Sequence, residues 1–130
     1  MSPIIQPDTS EAQDMSPIEP GTYPGTIVQV ELQTSKKGNA MIVPKWEVTV
    51  DGKTRTRTSY LVIDGPGSAG FDQLLRACGF DELADQYKDP DAENPEFDTD
   101  QLINQQCNLV VESQMYNNEL RDNIKSYLPA

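Results

Sequence analysis

The sequence predicts a mainly β domain of five strands, with one short α-helix between strands three and four. Three observations carry this. Apolar and polar residues alternate over several runs, the period-2 pattern of half-buried strands. Asp51-Gly52 sits between two β-rich runs, a strong signal for a two-residue hairpin turn. Between residues 68 and 78, Phe71, Leu74, Leu75 and Cys78 recur at helical spacing instead.

Residues 1–20 contain four prolines, four acids and no basic residue, so they read as a disordered acidic arm. The domain, residues 21–130, opens at Gly21-Thr22-Tyr23. From Thr26 a first strand places Val28, Val30 and Leu32 on one face and Ile27, Gln29 and Glu31 on the other. A loop over residues 34–39 leads to a second strand, 40–50, with Ile42, Pro44, Trp46, Val48 and Val50 on one side; Pro44 implies an edge or a bend. The third strand, 53–63, sets Arg55, Arg57, Ser59 and Leu61 opposite Thr54, Thr56, Thr58, Tyr60 and Val62.

Ser68 can cap the helix and Gly79 can stop it. Residues 81–100 hold nine acids, one lysine and two prolines, and read as a mobile acidic insertion with at most another helical turn at its start. Asp98 or Thr99 can cap a final turn through Leu102-Ile103. Cys107 to Gln114 and Leu120 to Leu128 complete the strands. The last puts Leu120, Ile124 and Leu128 on one face and Arg121, Asn123, Lys125 and Tyr127 on the other.

Composition narrows the functional classes. At 130 residues the chain can bury one core, although 36% hydrophobic content and a mean hydropathy of −0.59 leave part of it for unstructured segments. No apolar run reaches membrane-spanning length and no secretory signal pattern is present, so a soluble intracellular protein with no membrane partner is expected. There is no histidine, which removes the commonest general base and metal ligand. No enzymatic activity and no cofactor are expected. The acids of 81–100 lack the glycine and terminal Glu of a calcium loop, and no metal site is expected. Cys78 and Cys107 read as small hydrophobes rather than a disulfide.

Charge is unevenly distributed. Residues 34–59 carry Lys36, Lys37, Lys45, Lys53, Arg55 and Arg57 against Glu47 and Asp51, a balance of +4 in a chain of net charge −11. Such a hairpin suits an anionic partner. Its competing explanation is an edge strand protected against aggregation by lysine and arginine. Three strands, a helix and two strands is the layout of the five-stranded oligonucleotide-binding (OB-fold) barrel, whose second and third strands carry the ligand face. Topology and charge thus point to one surface.

The segments Gly21-Thr22-Tyr23, Ser35-Lys36-Lys37-Gly38-Asn39-Ala40-Met41, Lys45-Trp46-Glu47-Val48 and Ile124-Lys125-Ser126-Tyr127-Leu128-Pro129 resemble small bacteriophage-encoded proteins of the single-stranded DNA-binding type with this barrel. The resemblance implies a sequence-nonspecific coating protein, accessory to phage DNA replication or recombination and working in the cytoplasm of the infected bacterial host. It also implies replication or recombination proteins as partners. Unlike many single-strand binders, the chain ends in S-Y-L-P-A rather than an acidic tail.

On this reading Lys36, Lys37, Lys45, Lys53, Arg55 and Arg57 track phosphates, with Arg121 and Lys125 extending the groove. Tyr116 and Tyr127 are the favoured stacking rings, and Tyr60 is open to either role. Trp46 shares a face with Val48 and Val50, which favours the core over a platform. Asn39 can contact phosphate or base, or shape its turn. Single-stranded RNA is an alternative ligand, and the exposed edge permits a dimer. Two rival classes are an interaction module that grips an acidic protein through the hairpin and a metal-dependent nuclease built on the acids of 81–100.

Overall fold

The structure, a computed structural model, describes residues 3–9 and 17–130. Among these, six strands form one antiparallel sheet: β1 (Gly21–Thr34), β2 (Ala40–Val50), β3 (Lys53–Thr58), β4 (Leu61–Val62), β5 (Gln106–Tyr116) and β6 (Glu119–Pro129). The strand path is β3-β2-β1-β5-β6, with β4 also paired to β2. Helices α1 (Ala69–Ala77) and α2 (Asp81–Lys88) lie between β4 and β5.

The mainly β prediction holds, and two of its details change. The helical region follows the fourth strand, because the single strand expected over residues 53–63 breaks at Ser59-Tyr60. Pro44 explains the break. Its carbonyl accepts from the Ser59 N–H at 3.0 Å, so its nitrogen faces the same neighbour and has no proton to continue the ladder. Pairing stops at Lys45 with Thr58 and resumes at Ile42 with Leu61. The sheet is also open: no backbone ladder joins β3 to β6 among the described residues.

Both hairpin turns follow from local chemistry. Asp51 and Gly52 have φ of 51° and 76°, and Asn117 and Asn118 have φ of 49° and 64°. Two consecutive left-handed residues are what a type I′ turn requires, and Asp-Gly and Asn tolerate them.

Two β-bulges redirect the side chains. In β1 the register against β2 shifts between Ile27 and Gln29, so Ile27 joins the face of Val30 and Leu32 instead of opposing it. In β6 it shifts opposite Val110 and Val111, where Ser126 and Ile124 are the partners and Lys125 is the extra residue. A one-residue insertion inverts the alternation beyond it. The core therefore contains Ile27, Ile42, Trp46, Val48, Leu74, Leu102, Leu109 and Tyr127. Gly25 lies where β1 passes close to this cluster. A Cβ there would meet Leu109 Cδ1 at 2.7 Å and Trp46 Cε3 at 3.2 Å. Both cysteines are free, and Cys107 is buried in the core with Cys78 packed against it.

Two segments read as unstructured are partly built into the fold. Residues 3–9 have no regular structure and are exposed, whereas Ile18 is only 2% exposed. The rest of the expected disordered arm, residues 1–2 and 10–16, lies outside the described residues. The acidic stretch begins with the whole of α2, and its loop is pinned. Tyr87 Oη donates to the Pro95 carbonyl at 2.6 Å, and Phe97 meets Phe71 and Phe80 edge-on. Aromatic contacts of this kind hold the segment down despite its charge.

Candidate nucleic-acid interface

Strand register decides where the basic residues go. Residues opposite one another in an antiparallel pair point to the same face. Arg57 pairs with Trp46 and Arg55 with Val48, so both arginines lie on the core-facing side. Lys45 pairs with Thr58 and is exposed on the other side. Lys36 and Lys37 sit in the β1–β2 turn, and Lys53 follows the β2–β3 turn at the opposite end of β2. At ~3.3 Å per residue the two ends are roughly 33 Å apart. The predicted hairpin cations thus do not converge on one surface. Thr54, Thr56 and Thr58, not the arginines, share the outer face with Lys45.

The arginines are also engaged. Arg55 is 7% exposed, with little surface to offer a ligand. Arg57 makes a two-pronged pair with Asp122 of β6, from Nε to Oδ1 and Nη2 to Oδ2 at 2.8 Å each, and Nη1 donates to the Thr56 carbonyl at 2.7 Å. The Ile18 N–H donates to Asp122 Oδ2 as well, at 2.8 Å. Burial by itself raises the Asp122 pKa. The hydrogen bonds from Arg57 and Ile18, with the charges of Arg57 and Arg55, outweigh it and hold the carboxyl below its ordinary range.

β3 and β6 are the two ends of the sheet path, so this ion pair spans a seam between its open edges. Deeper in the seam, Ser59 Oγ accepts from Trp46 Nε1 at 3.0 Å and from Tyr127 Oη at 2.8 Å. The Trp46 and Tyr127 rings stack at 5.7 Å. Tyr127 is therefore not the exposed platform expected of it. The Lys125 bulge turns it into the core, where burial pushes its phenol up to about 12. Trp46 is a core residue, as its strand face predicted.

The remaining candidates are accessible. Tyr60 is exposed in the break between β3 and β4. Tyr116 is exposed near the β5–β6 turn, and the Arg121 guanidinium lies over its ring at 5.0 Å. Arg121 also pairs with Glu119 at 3.3 Å, and Lys125 approaches Glu112 at 3.9 Å. Asn39 shapes its turn through the backbone: its N–H donates to Ser35 Oγ at 3.0 Å and its carbonyl accepts from Ser35 N at 2.8 Å. Its side chain is left exposed to solvent.

Along the seam runs a groove of about 710 Å³, lined by Thr56, Arg57 and Thr58 from β3, Glu119, Leu120, Arg121 and Asp122 from β6, and Pro17. It brings β3 and β6 together. Asp122, Ser59 and Ile18 escaped sequence reasoning. The partners they meet across the seam lie 65 to 104 residues away, and no local pattern marks such pairings.

Among the described residues, no group of three or more cysteine or acidic side chains is placed to hold a metal ion, and no helix is long and apolar enough to cross a membrane. Residues 5–63 match the model of a family described as a protein of unknown function (DUF669). The match spans β1 to β4 and stops short of both helices and of β6. No curated protein matches the chain.

Proposed function

We propose that the protein binds single-stranded DNA without sequence preference, as an accessory to phage DNA replication or recombination. The carrying observation is the seam groove, where Arg57 and Arg121 come from strands far apart in sequence and line one cleft with Thr56 and Thr58. Tyr116 stands beneath Arg121 as an exposed stacking surface. A central β1 flanked by β2 and β5, with β3 and β6 at the ends, suits the partly open five-stranded OB barrel.

On this reading the ligand follows the seam rather than the face of the basic hairpin. Arg121 and the threonine hydroxyls meet phosphates first. Arg57 reaches a phosphate only by exchanging it for Asp122. That exchange keeps affinity modest, as does the net charge of −11. Lys36, Lys37, Lys45, Lys53 and Lys125 lie outside the groove lining and add to the wider field. The rival reading, capture of an acidic protein by the hairpin, is less well served because its cations divide between two faces.

The test is fluorescence anisotropy of a labelled oligo-dT at about 50 and 200 mM salt, with duplex DNA as competitor. Binding should fall with salt and resist the duplex. Tyr116→Ala should weaken it at least about fivefold, the loss expected for one stacked base. No binding at the lower salt removes the reading.

A further inference from the structure

A second groove, of about 780 Å³, lies on the helical side of the sheet, between the far end of the β1–β2 hairpin, the start of α1 and the loop after α2. We propose that it docks a basic, amphipathic peptide segment of a partner protein. The inference concerns a different face from the seam and stands independently of oligonucleotide binding.

The groove is apolar at its base. Ile42 forms part of the floor, with Leu32, Ile63, Phe71 and Phe97 around it. Leu32 pairs with Ile42 and so points to the core-facing side of the sheet, yet it is 71% exposed. The core face of β1 continues past the last residue that covers it. Apolar surface left in water in this way is stabilised when a partner covers it.

The rim has the opposite character. Asp64, Asp72 and Asp98 stand around the opening against Lys88 alone, and the loop that forms one wall belongs to the stretch of nine acids and one lysine. Arg76 offsets Asp72 at 3.1 Å, and Asp64 and Asp98 remain exposed. An apolar floor beneath an acidic rim selects a ligand with apolar anchors flanked by positive charge. The exposed Ile4 and Ile5 of this chain are apolar enough, but their arm carries acids and no base, so its charge is wrong. The walls are already in place. Tyr87 and Pro95 are tied at 2.6 Å, Phe97 is held by two rings, and Asp98 accepts from the Asp100 N–H at 2.9 Å. A preformed groove avoids the ordering cost of binding. An amphipathic helix presents apolar anchors at i, i+3, i+4 and i+7 to such a groove.

The experiment titrates the full chain into a labelled synthetic peptide with Leu at those spacings and Lys elsewhere. A second peptide carries Glu for every Lys. The Lys peptide should bind saturably, and the Glu peptide about tenfold more weakly or worse. Leu32→Lys and Asp64→Lys, both at exposed positions, should each weaken the Lys peptide about fivefold or more with thermal unfolding unchanged. Equal binding to wild type and both variants would mean that diffuse negative charge suffices, and it would overturn the proposal. Equal binding of the two peptides, or binding of neither, would overturn it too.

Discussion

The two grooves lie on one sheet and are held by different forces. The seam is closed by polar contacts between strands that share no ladder: a two-pronged ion pair, a serine that accepts from both Trp46 and Tyr127, and a backbone N–H from the chain's beginning. The helical-side groove is walled mainly by edge-on contacts of Phe97 with Phe71 and Phe80, with one hydrogen bond from Tyr87 to the Pro95 carbonyl. Ion pairs respond to pH and to competing ions, whereas apolar walls do not. The seam is thus the part of the molecule that pH and competing ions act on, and the walls of the helical-side groove are the part they leave in place.

The largest expected effect comes from Asp122→Ala. It leaves Arg57 partly buried without its carboxylate and Ile18 without an acceptor, so equilibrium urea unfolding should show a loss of about 3 kcal/mol. Oligo-dT affinity per folded molecule should rise, because Arg57 no longer has to be won from Asp122. Unchanged affinity would separate the latch from the ligand path. Next, Phe97→Ala should cost about 2 kcal/mol, less than for a fully buried ring. Hydrogen exchange should report faster opening over residues 89–99, with β1, β2 and β5 left protected. Equal loosening of the sheet would mean that the two regions are not energetically distinct.

Smaller effects sharpen the contrast. Tyr127→Phe removes one hydrogen bond and keeps the ring stacked on Trp46, so a loss of about 1 kcal/mol is expected from thermal unfolding. The pH dependence of Asp122 should be smaller still near neutrality. Its folded pKa is depressed, so its stabilisation is complete above the unfolded value, near about 3.9, and is lost as pH falls through the folded one. The stability gap between wild type and Asp122→Asn, measured from about pH 6 down to pH 3, should therefore narrow only at the acid end. A gap that stayed constant would show that the pair contributes through shape rather than charge.

Most of the fold was legible locally. Asp51-Gly52 forms the expected turn, Gly79 takes a φ of 89° just after α1, and Asp98 caps the short turn before β5. Trp46 fell in the core because β2 alternates without a bulge across it. The candidate site was legible only as a list of residue types. Its geometry depends on which face each residue takes, and two bulges altered that in β1 and β6. Tyr127 was lost to the core and Ile27 gained for it, because an unpaired extra residue leaves no reliable mark on a strand's composition. Arg55 and Arg57 were read correctly as one face of their strand. That this face is the inner one follows only from their pairing with Val48 and Trp46.

The sequence by itself determined the strand-rich class, the hairpin turns, the helical spacing of α1 and the uneven charge. Each arises from interactions among residues a few positions apart. Tertiary structure alone decided that the sheet stays open, that Asp122 and Ile18 meet Arg57, and that a leucine on the core side of β1 is left uncovered. Those outcomes depend on how far the sheet curls and where its register slips. Both are set by the packing of the whole core, which no short window of sequence contains.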